Sequence, residues 1–302
     1  MGVEAGETQD RDGHRSPALN IDDVWLSQQF PDLRSLKRLV TGGQKSVYTA
    51  THPNDGEVVL KIIHISEDPE RVRREILAVQ KAACPRVPRI LGEGKLQSNV
   101  GEVLWVREQR ISGESLRAVI QKGPLGKDEL LRLAMHLLEA LADAEKVHIV
   151  HRDVKPENVI RDVGGRFWLL DFGIARHLDL TSLTGSHAAF GLGTAGYAPP
   201  EQFRNRKRDI DARADLFALG VTLYESATGR NPFRNGIRDN LQVLHNVERV
   251  ALPPLQLPFD SAGEIAGFVT AFTQKRQNHR PLSIAEALDW VRDISKREGV
   301  VI

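Results

Sequence analysis

Near residue 112 the chain changes its periodicity, and that change restricts the folds open to it. Before it, short β-rich runs dominate. "SVYTAT" and "EVVLKII" flank "HPNDGE" with its Asp55-Gly56 turn signal, and "VPRILGEGKL" and "GEVLWVREQ" follow as two further strands. One helical pattern interrupts them, "SEDPERVRREILAVQKAA". There Ser66 or Asp68 can cap, Pro69 suits the first turn, and Val72, Ile76 and Val79 recur at helical spacing. After "SGESL" the helical period takes over. "KDELLRLAMHLLEALADAEK" carries a broad apolar stripe through Leu130, Leu133, Leu137, Leu141 and Ala144, and "ADLFALGVTLYESATG" and "SIAEALDWVRDISKRE" read as helices too. Between them, short strands around "NVIRD" and "RFWLLD" turn at Gly164-Gly165. Such a chain is expected to adopt an α+β fold: a small β-rich lobe with one helix, a larger helical lobe, and a ligand-binding cleft between them.

At 302 residues the chain is long enough for one large domain or for two lobes sharing a cleft. Lys plus Arg is 41 and Asp plus Glu is 40, a balance that argues against a dedicated nucleic-acid or membrane-surface binder. Cys84 is the sole cysteine, read as a small buried hydrophobe, and its solitude points to a reducing, cytoplasmic setting without disulfides. No apolar run approaches the roughly 18–20 residues of a membrane-spanning helix. The opening "MGVEAGETQDRDGHRSPALN" lacks the apolar centre of a signal peptide, and Gly6 stands where a myristoylation pattern wants Ser or Thr. Residues 1–18 read as a disordered tail. The ten histidines show no metal spacing; His148 and His151 read as strand and loop packing. The basic run "RNRKR" at 204–208 reads as a solvated loop balanced by Asp209, Asp211 and Asp215.

Chemistry concentrates in "HRDVKPENVI" at 151–160 and "DFG" at 171–173. Asp153, Asn158 and Asp171 offer three hard oxygen ligands on short loops beside strands, the kind of set that Mg²⁺ takes while keeping waters or phosphates for the rest. Asp153 and Lys155 lie two residues apart in an extended loop, where both side chains can face the same way. One carboxylate can then accept a hydroxyl proton while an ammonium steadies a transferring phosphoryl group. A salt-bridged surface turn would leave Asn158 and the later Asp-Phe-Gly unexplained.

These stretches, in this order, resemble a bacterial eukaryotic-like (Hanks-type) serine/threonine protein kinase over about 34–298. "VVLK" ending at Lys61 resembles the strand whose Lys grips the α/β-phosphates, and Glu75 in "RREI" resembles the helix acid that pairs with it. His151-Arg152-Asp153 with Asn158 resembles the catalytic loop, and Asp171-Phe172-Gly173 the metal-binding turn. "GTAGYAPPEQF" resembles the end of the activation segment, with Pro199 in place of the usual Ala. The resemblance implies a bilobal kinase fold, with an extension at 19–33, a smaller lobe at about 34–108 and a larger one at about 112–298. It implies Mg²⁺ (Mn²⁺ as the alternative metal) held by Asn158 and Asp171, and ATP as co-substrate. Asp153 would orient or accept the substrate hydroxyl, Lys155 points to Ser/Thr substrates on proteins, and Thr194 would close the site near both. Val47, Val59 and Ile160 would sandwich adenine. Glu201 and Arg280 would form a buried ion pair, with Asp215 a second buried anchor. Arg152 beside Asp153 calls for an anion, which phosphorylation of the activation segment supplies; Thr181, Ser182, Thr184 and Ser186 are the acceptors, Thr184 being favoured.

The sequence also departs from the family's pattern. Aligned back from Val47-Tyr48, the glycine triplet of the phosphate loop falls on Val40, Gly42 and Lys45, with Gly43 added. The middle glycine matters most for backbone approach to phosphates, and Lys45 can add charge there, so the loop reads as a working variant. The stretch from Lys61 to Glu75 is shorter than common in the family, and Glu70 is the other candidate partner for Lys61. The hinge acid falls on Glu108, with one residue inserted, or on Gln109; no gatekeeper residue is assigned. Two rival readings stand beside the kinase: a pseudokinase scaffold, motivated by the altered glycine loop, and a small-molecule kinase, which the Pro-Pro-Glu segment opposes. Because "KREGVVI" ends the sequence close to the end of the kinase lobe, input is expected from a separate regulatory partner or from autophosphorylation in trans by a homodimer, with no nucleic acid and no membrane as partner.

Overall fold

The computed structural model describes residues 21–41, 45–64, 69–82, 84–99, 101–172, 194–204, 210–237 and 239–300, with the backbone alone at 41, 69, 71, 75 and 79–82. Gly42, Gly43, Thr181, Ser182, Thr184 and Ser186, the tail at 1–18 and the helix caps at Ser66 and Asp68 lie outside these residues.

The first lobe is a five-stranded antiparallel sheet: β1 (Arg34–Thr41), β2 (Lys45–His52), β3 (Gly56–His64), β4 (Ile90–Ser98) and β5 (Gly101–Gln109) in the order β1-β2-β3-β5-β4. Two helices flank it, α1 (Asp23–Gln29) and α2 (Pro69–Ala82). The β2–β3 turn runs through Gly56 at φ +70°, a left-handed conformation that favours glycine. Strand period then sorts the side chains onto two faces. On one, Tyr48, Ala50, Val58, Leu60, Ile62 and Val103 pack against Ile21, Leu26 and Leu33 of the N-terminal segment. On the other, Ile63, Leu104 and Val106 pack against Val72 and Ile76 of α2. The stretch assigned only as an N-terminal extension thus contains a helix, and Leu26 of that helix and Ile21 just before it are fully buried. Asp22 caps it, accepting from the Val24 amide at 2.9 Å.

The second lobe holds β6 (Gly113–Ser115), α3 (Leu116–Lys122), α4 (Lys127–Lys146), β7 (Val159–Asp162), β8 (Phe167–Leu169), α5 (Pro200–Phe203), α6 (Arg213–Thr228), α7 (Asn240–Arg249), α8 (Glu264–Phe272) and α9 (Ile284–Arg297). The three short strands pair in the order β6-β7-β8. All five residues of the α4 stripe are buried, and so are Leu131, Ala134, Leu138 and Ala140, because α4 runs through the centre of the lobe. Helix α6 is buried from Ala214 to Ser226, the expected fate of a helix that is apolar on every side. Gly220 makes the α6–α8 approach feasible: a β-carbon there would meet Thr273 Cγ2 at 2.7 Å. Among the described residues no helix is long and apolar enough to cross a membrane.

Candidate active site

The β7–β8 hairpin brings the two chemistry-bearing loops to one end. Leu170 donates its amide to the Asn158 carbonyl at 2.9 Å, so the loop leaving β8 lies beside the loop entering β7. His151 closes the junction. Its Nε2 donates to the Leu170 carbonyl (2.7 Å), its Nδ1 accepts from the Asp153 amide (3.2 Å), and its ring packs edge-on to Phe172 at 4.6 Å. Those bonds suit the neutral imidazole with its proton on Nε2. Arg152 and Asp171 both adopt left-handed backbone, at φ +69° and +65°, a conformation that costs free energy outside glycine. At Arg152 the offset is visible: Asp215, in the first turn of α6, accepts from the amides of His151 (2.8 Å) and Arg152 (2.7 Å). Burial pushes the Asp215 carboxyl upward, with those two amides acting the other way.

Asp153 is the centre of a second cluster. Its Oδ1 accepts from Thr194 Oγ (2.8 Å), and Asn158 Nδ2 donates to both its Oδ2 and its backbone carbonyl, each at 2.8 Å. Lys155 Nζ lies 2.7 Å from Asp153 Oδ2 and donates to Thr194 Oγ at 2.6 Å. Lys155 has extended backbone, φ −161° and ψ 163°, which turns it to the same side as Asp153. The Asp153 side chain keeps 20% of its surface exposed, enough to meet an incoming hydroxyl. Asn158 spends its amide hydrogens on Asp153, which leaves Oδ1 as the oxygen that can meet a cation.

The third cluster lies under the sheet. Lys61 Nζ bonds Glu108 Oε2 at 2.5 Å and Asp171 Oδ1 at 2.7 Å; Lys45 Nζ bonds Asp171 Oδ2 at 2.8 Å. Burial by itself raises a carboxyl pKa, but the two ammonium groups more than offset it and hold Asp171 well below the usual carboxylate range. Burial likewise opposes the charge on Lys61, and Asp171 with Glu108 reverse that, keeping it above the ordinary lysine value. Val47 and Val59 are half-buried on the Lys61 face of the sheet, Val47 opposite Lys61 itself. Ile160 is half-buried on β7, flanked by the buried Val159. The Glu75 side chain lies outside the described residues; the other candidate, Glu70, pairs with Lys95 at 2.8 Å.

For two members of this cluster the sequence reading named the residue and not its partner: Lys45 as added charge at the phosphate loop and Glu108 as a hinge acid. Lys45 stands where the resemblance wants a glycine, and nothing in its neighbours predicts that it turns inward. Glu108 continues the phase of Leu104 and Val106, but Val103 and Trp105 make β5 apolar on its other face too, so the sequence alone does not mark that phase as inward.

Farther out, Arg280 and Glu201 form a buried two-point ion pair, Nη1–Oε1 2.6 Å and Nη2–Oε2 3.1 Å. Arg117, not singled out in the sequence, joins Glu157 (2.8 Å), Glu225 (2.7 Å) and the Tyr197 hydroxyl (2.6 Å). Of the basic run only Arg204 is described, and it pairs with Glu248 of α7; Asp211 is engaged by Arg213 and Gln277 and Asp215 by the loop amides, and residues 205–209 lie outside the described set.

Comparison with known proteins gives this geometry a lineage. The protein kinase domain profile matches residues 33–290. A probable serine/threonine-protein kinase of Corynebacterium efficiens is 34% identical over 200 residues, 64% of this chain and 30% of that protein. The probable serine/threonine-protein kinase PkwA of Thermomonospora curvata is 32% identical over 254 residues, 82% of this chain and 32% of its own. One named PknB in Bifidobacterium longum is 33% identical over 225 residues, 70% and 32% of the two chains. The chain thus spans about a third of the length of these curated relatives. With a β-sheet lobe, a helical lobe and three side-chain clusters at their junction, the chain belongs to the protein kinase domain family.

Proposed function

We propose that the chain is a serine/threonine protein kinase that transfers the γ-phosphoryl group of ATP to hydroxyls on proteins, its own activation segment included. The observation that carries this reading is the Asp153 cluster. One carboxylate oxygen is bonded to a Thr194 hydroxyl, the other to a lysine and an amide, with a fifth of the side chain open to solvent. In that setting Asp153 orients a substrate hydroxyl and takes its proton, while the Lys155 ammonium offsets charge on the phosphoryl group in flight. Asn158 Oδ1 and the ionised Asp171 are hard oxygens that suit Mg²⁺, with Mn²⁺ as the alternative. Bound there, the metal would neutralise phosphate charge and favour an in-line transfer. Lys45, turned into the cleft, supports a phosphate loop that works despite its missing glycines. Val47, Val59 and Ile160 are the apolar residues for adenine. The relatives' printed names support the Ser/Thr assignment. A reducing, cytoplasmic setting fits a single buried thiol, Cys84, which burial pushes up to about 12.

Intact mass after incubation with Mg²⁺ and ATP, beside Asp171→Asn, tests the proposal. Added phosphates in the parent alone, mapped to residues 173–194, are the expected result, with the variant slower by several orders of magnitude at about 1.4 kcal/mol of barrier per tenfold. No phosphate on the chain or on a generic substrate, at any concentration, would sink the enzymatic reading and leave the pseudokinase scaffold.

A further inference from the structure

Lys61 and Glu108 belong to neighbouring strands of one sheet. Val59 faces Glu108 and Lys61 faces Val106 across the β3–β5 ladder, so both side chains project from the inner face with their spacing fixed by backbone bonds. Both residues are buried, at 4% and 9% relative exposure. Glu108 bonds Lys61 at 2.5 Å, and the described residues show no second cation bonded to it. A lone carboxylate in such a site would be costly, so its presence makes sense as half of a pair. Asp171, the other acid on Lys61, is the one that a metal would engage; Glu108 has no such competing duty. Helix α2, which carries Glu75, meets the sheet through Val72 and Ile76 and through ion pairs of Arg73 with Glu93 and of Glu70 with Lys95.

We propose that Glu108 positions Lys61 for the nucleotide, holding the ammonium from strand β5. The inference rests on the kinase reading above and deepens it. Lys61 keeps one counter-charge within the sheet when Asp171 turns to a metal. Glu108 is a positioning residue that acts through Lys61 and has no contact of its own with the reacting atoms.

The test is a binding cycle with methylanthraniloyl-ADP in EDTA, so that neither metal nor turnover enters, on the parent, Glu108→Gln, Glu108→Asp, Lys61→Met and the Glu108→Gln/Lys61→Met double variant. Melting temperatures and far-ultraviolet circular dichroism accompany each, and autophosphorylation kcat and KM are measured on those that bind. Glu108→Gln is expected to weaken binding by about tenfold, with Glu108→Asp recovering most of the loss. In the Lys61→Met background the same Glu108→Gln change is expected to add nothing, because a residue that acts through Lys61 has nothing left to position. Two outcomes overturn the inference: binding unchanged or tighter in Glu108→Gln, or a Glu108→Gln loss that persists in full without Lys61. A parent that binds no nucleotide would instead remove the kinase reading, and the inference with it.

Discussion

Lys275 carries a charge where the fold gives it no partner. Its Nζ is buried without a hydrogen bond among the described residues and lies 3.8 Å from the centre of the Phe233 ring and 5.7 Å from that of Phe217. The rings offset part of the cost. Burial, helped by Arg280, still lowers its pKa to about 7. An unfolded chain holds this proton up to about pH 10.4, and the native one releases it near neutrality, so the residue costs stability that returns as pH rises from about 7 to 10. Lys275→Met should therefore stabilise the protein by about 1–3 kcal/mol at pH 7, with the gain shrinking toward pH 10. Urea unfolding at the two pH values reads it; a destabilised variant, or a gain that grows with pH, would contradict the account.

Elements meet through polar contacts as well as apolar ones, and the α4–β8 junction shows why that matters. His136 of α4 is buried, its Nδ1 accepting from the Phe167 amide of β8 at 3.0 Å. Burial, with Arg86 and Arg132 nearby, drives its pKa down to about 3. The unfolded histidine takes a proton below about pH 6.5 and the native one refuses it, so stability falls by about 1.4 kcal/mol per pH unit on acidification through that window. His136→Asn keeps an acceptor for Phe167 and removes the titration. From pH 7 to pH 5 the parent should lose about 2 kcal/mol more than the variant does; equal losses in urea melts would refute the assignment. The sequence marks this helix plainly through its leucine stripe. It does not mark His136 as the acceptor for a strand end, because the pairing spans the chain between two elements that only packing brings together.

At the scale of the whole molecule, the N-terminal segment belongs to the first lobe physically, whatever its sequence suggests. Leu26 is fully buried among Tyr48, Leu60, Ile62 and Val103, and Phe30 packs edge-on to Trp105 at 5.2 Å. Leu26→Ala should cost about 2–5 kcal/mol of unfolding free energy, as for any large-to-small change in a packed core. Denaturant titration checks it; a loss below about 0.5 kcal/mol, the range of surface changes, would mean that α1 is a detachable appendage.

The sequence by itself determined the change of period near residue 112, strands β2 to β5, β7 and β8, helices α2, α4, α6 and α9, and the chemical types at Asp153, Lys155, Asn158 and Asp171. Those properties are local: they follow from spacing and residue chemistry along a short stretch. It also marked Thr194, Glu201 and Arg280, through motifs long enough to be specific. Only the tertiary structure decided which charges meet. Lys45 on Asp171, Glu108 on Lys61, Arg204 on Glu248 and Ile21 beneath the sheet each join residues far apart in the chain, and such a pairing is set by strand register and lobe packing. One residue of register would turn Glu108 from the cleft to the opposite face of the sheet, and no property of "GEVLWVREQ" alone fixes that register.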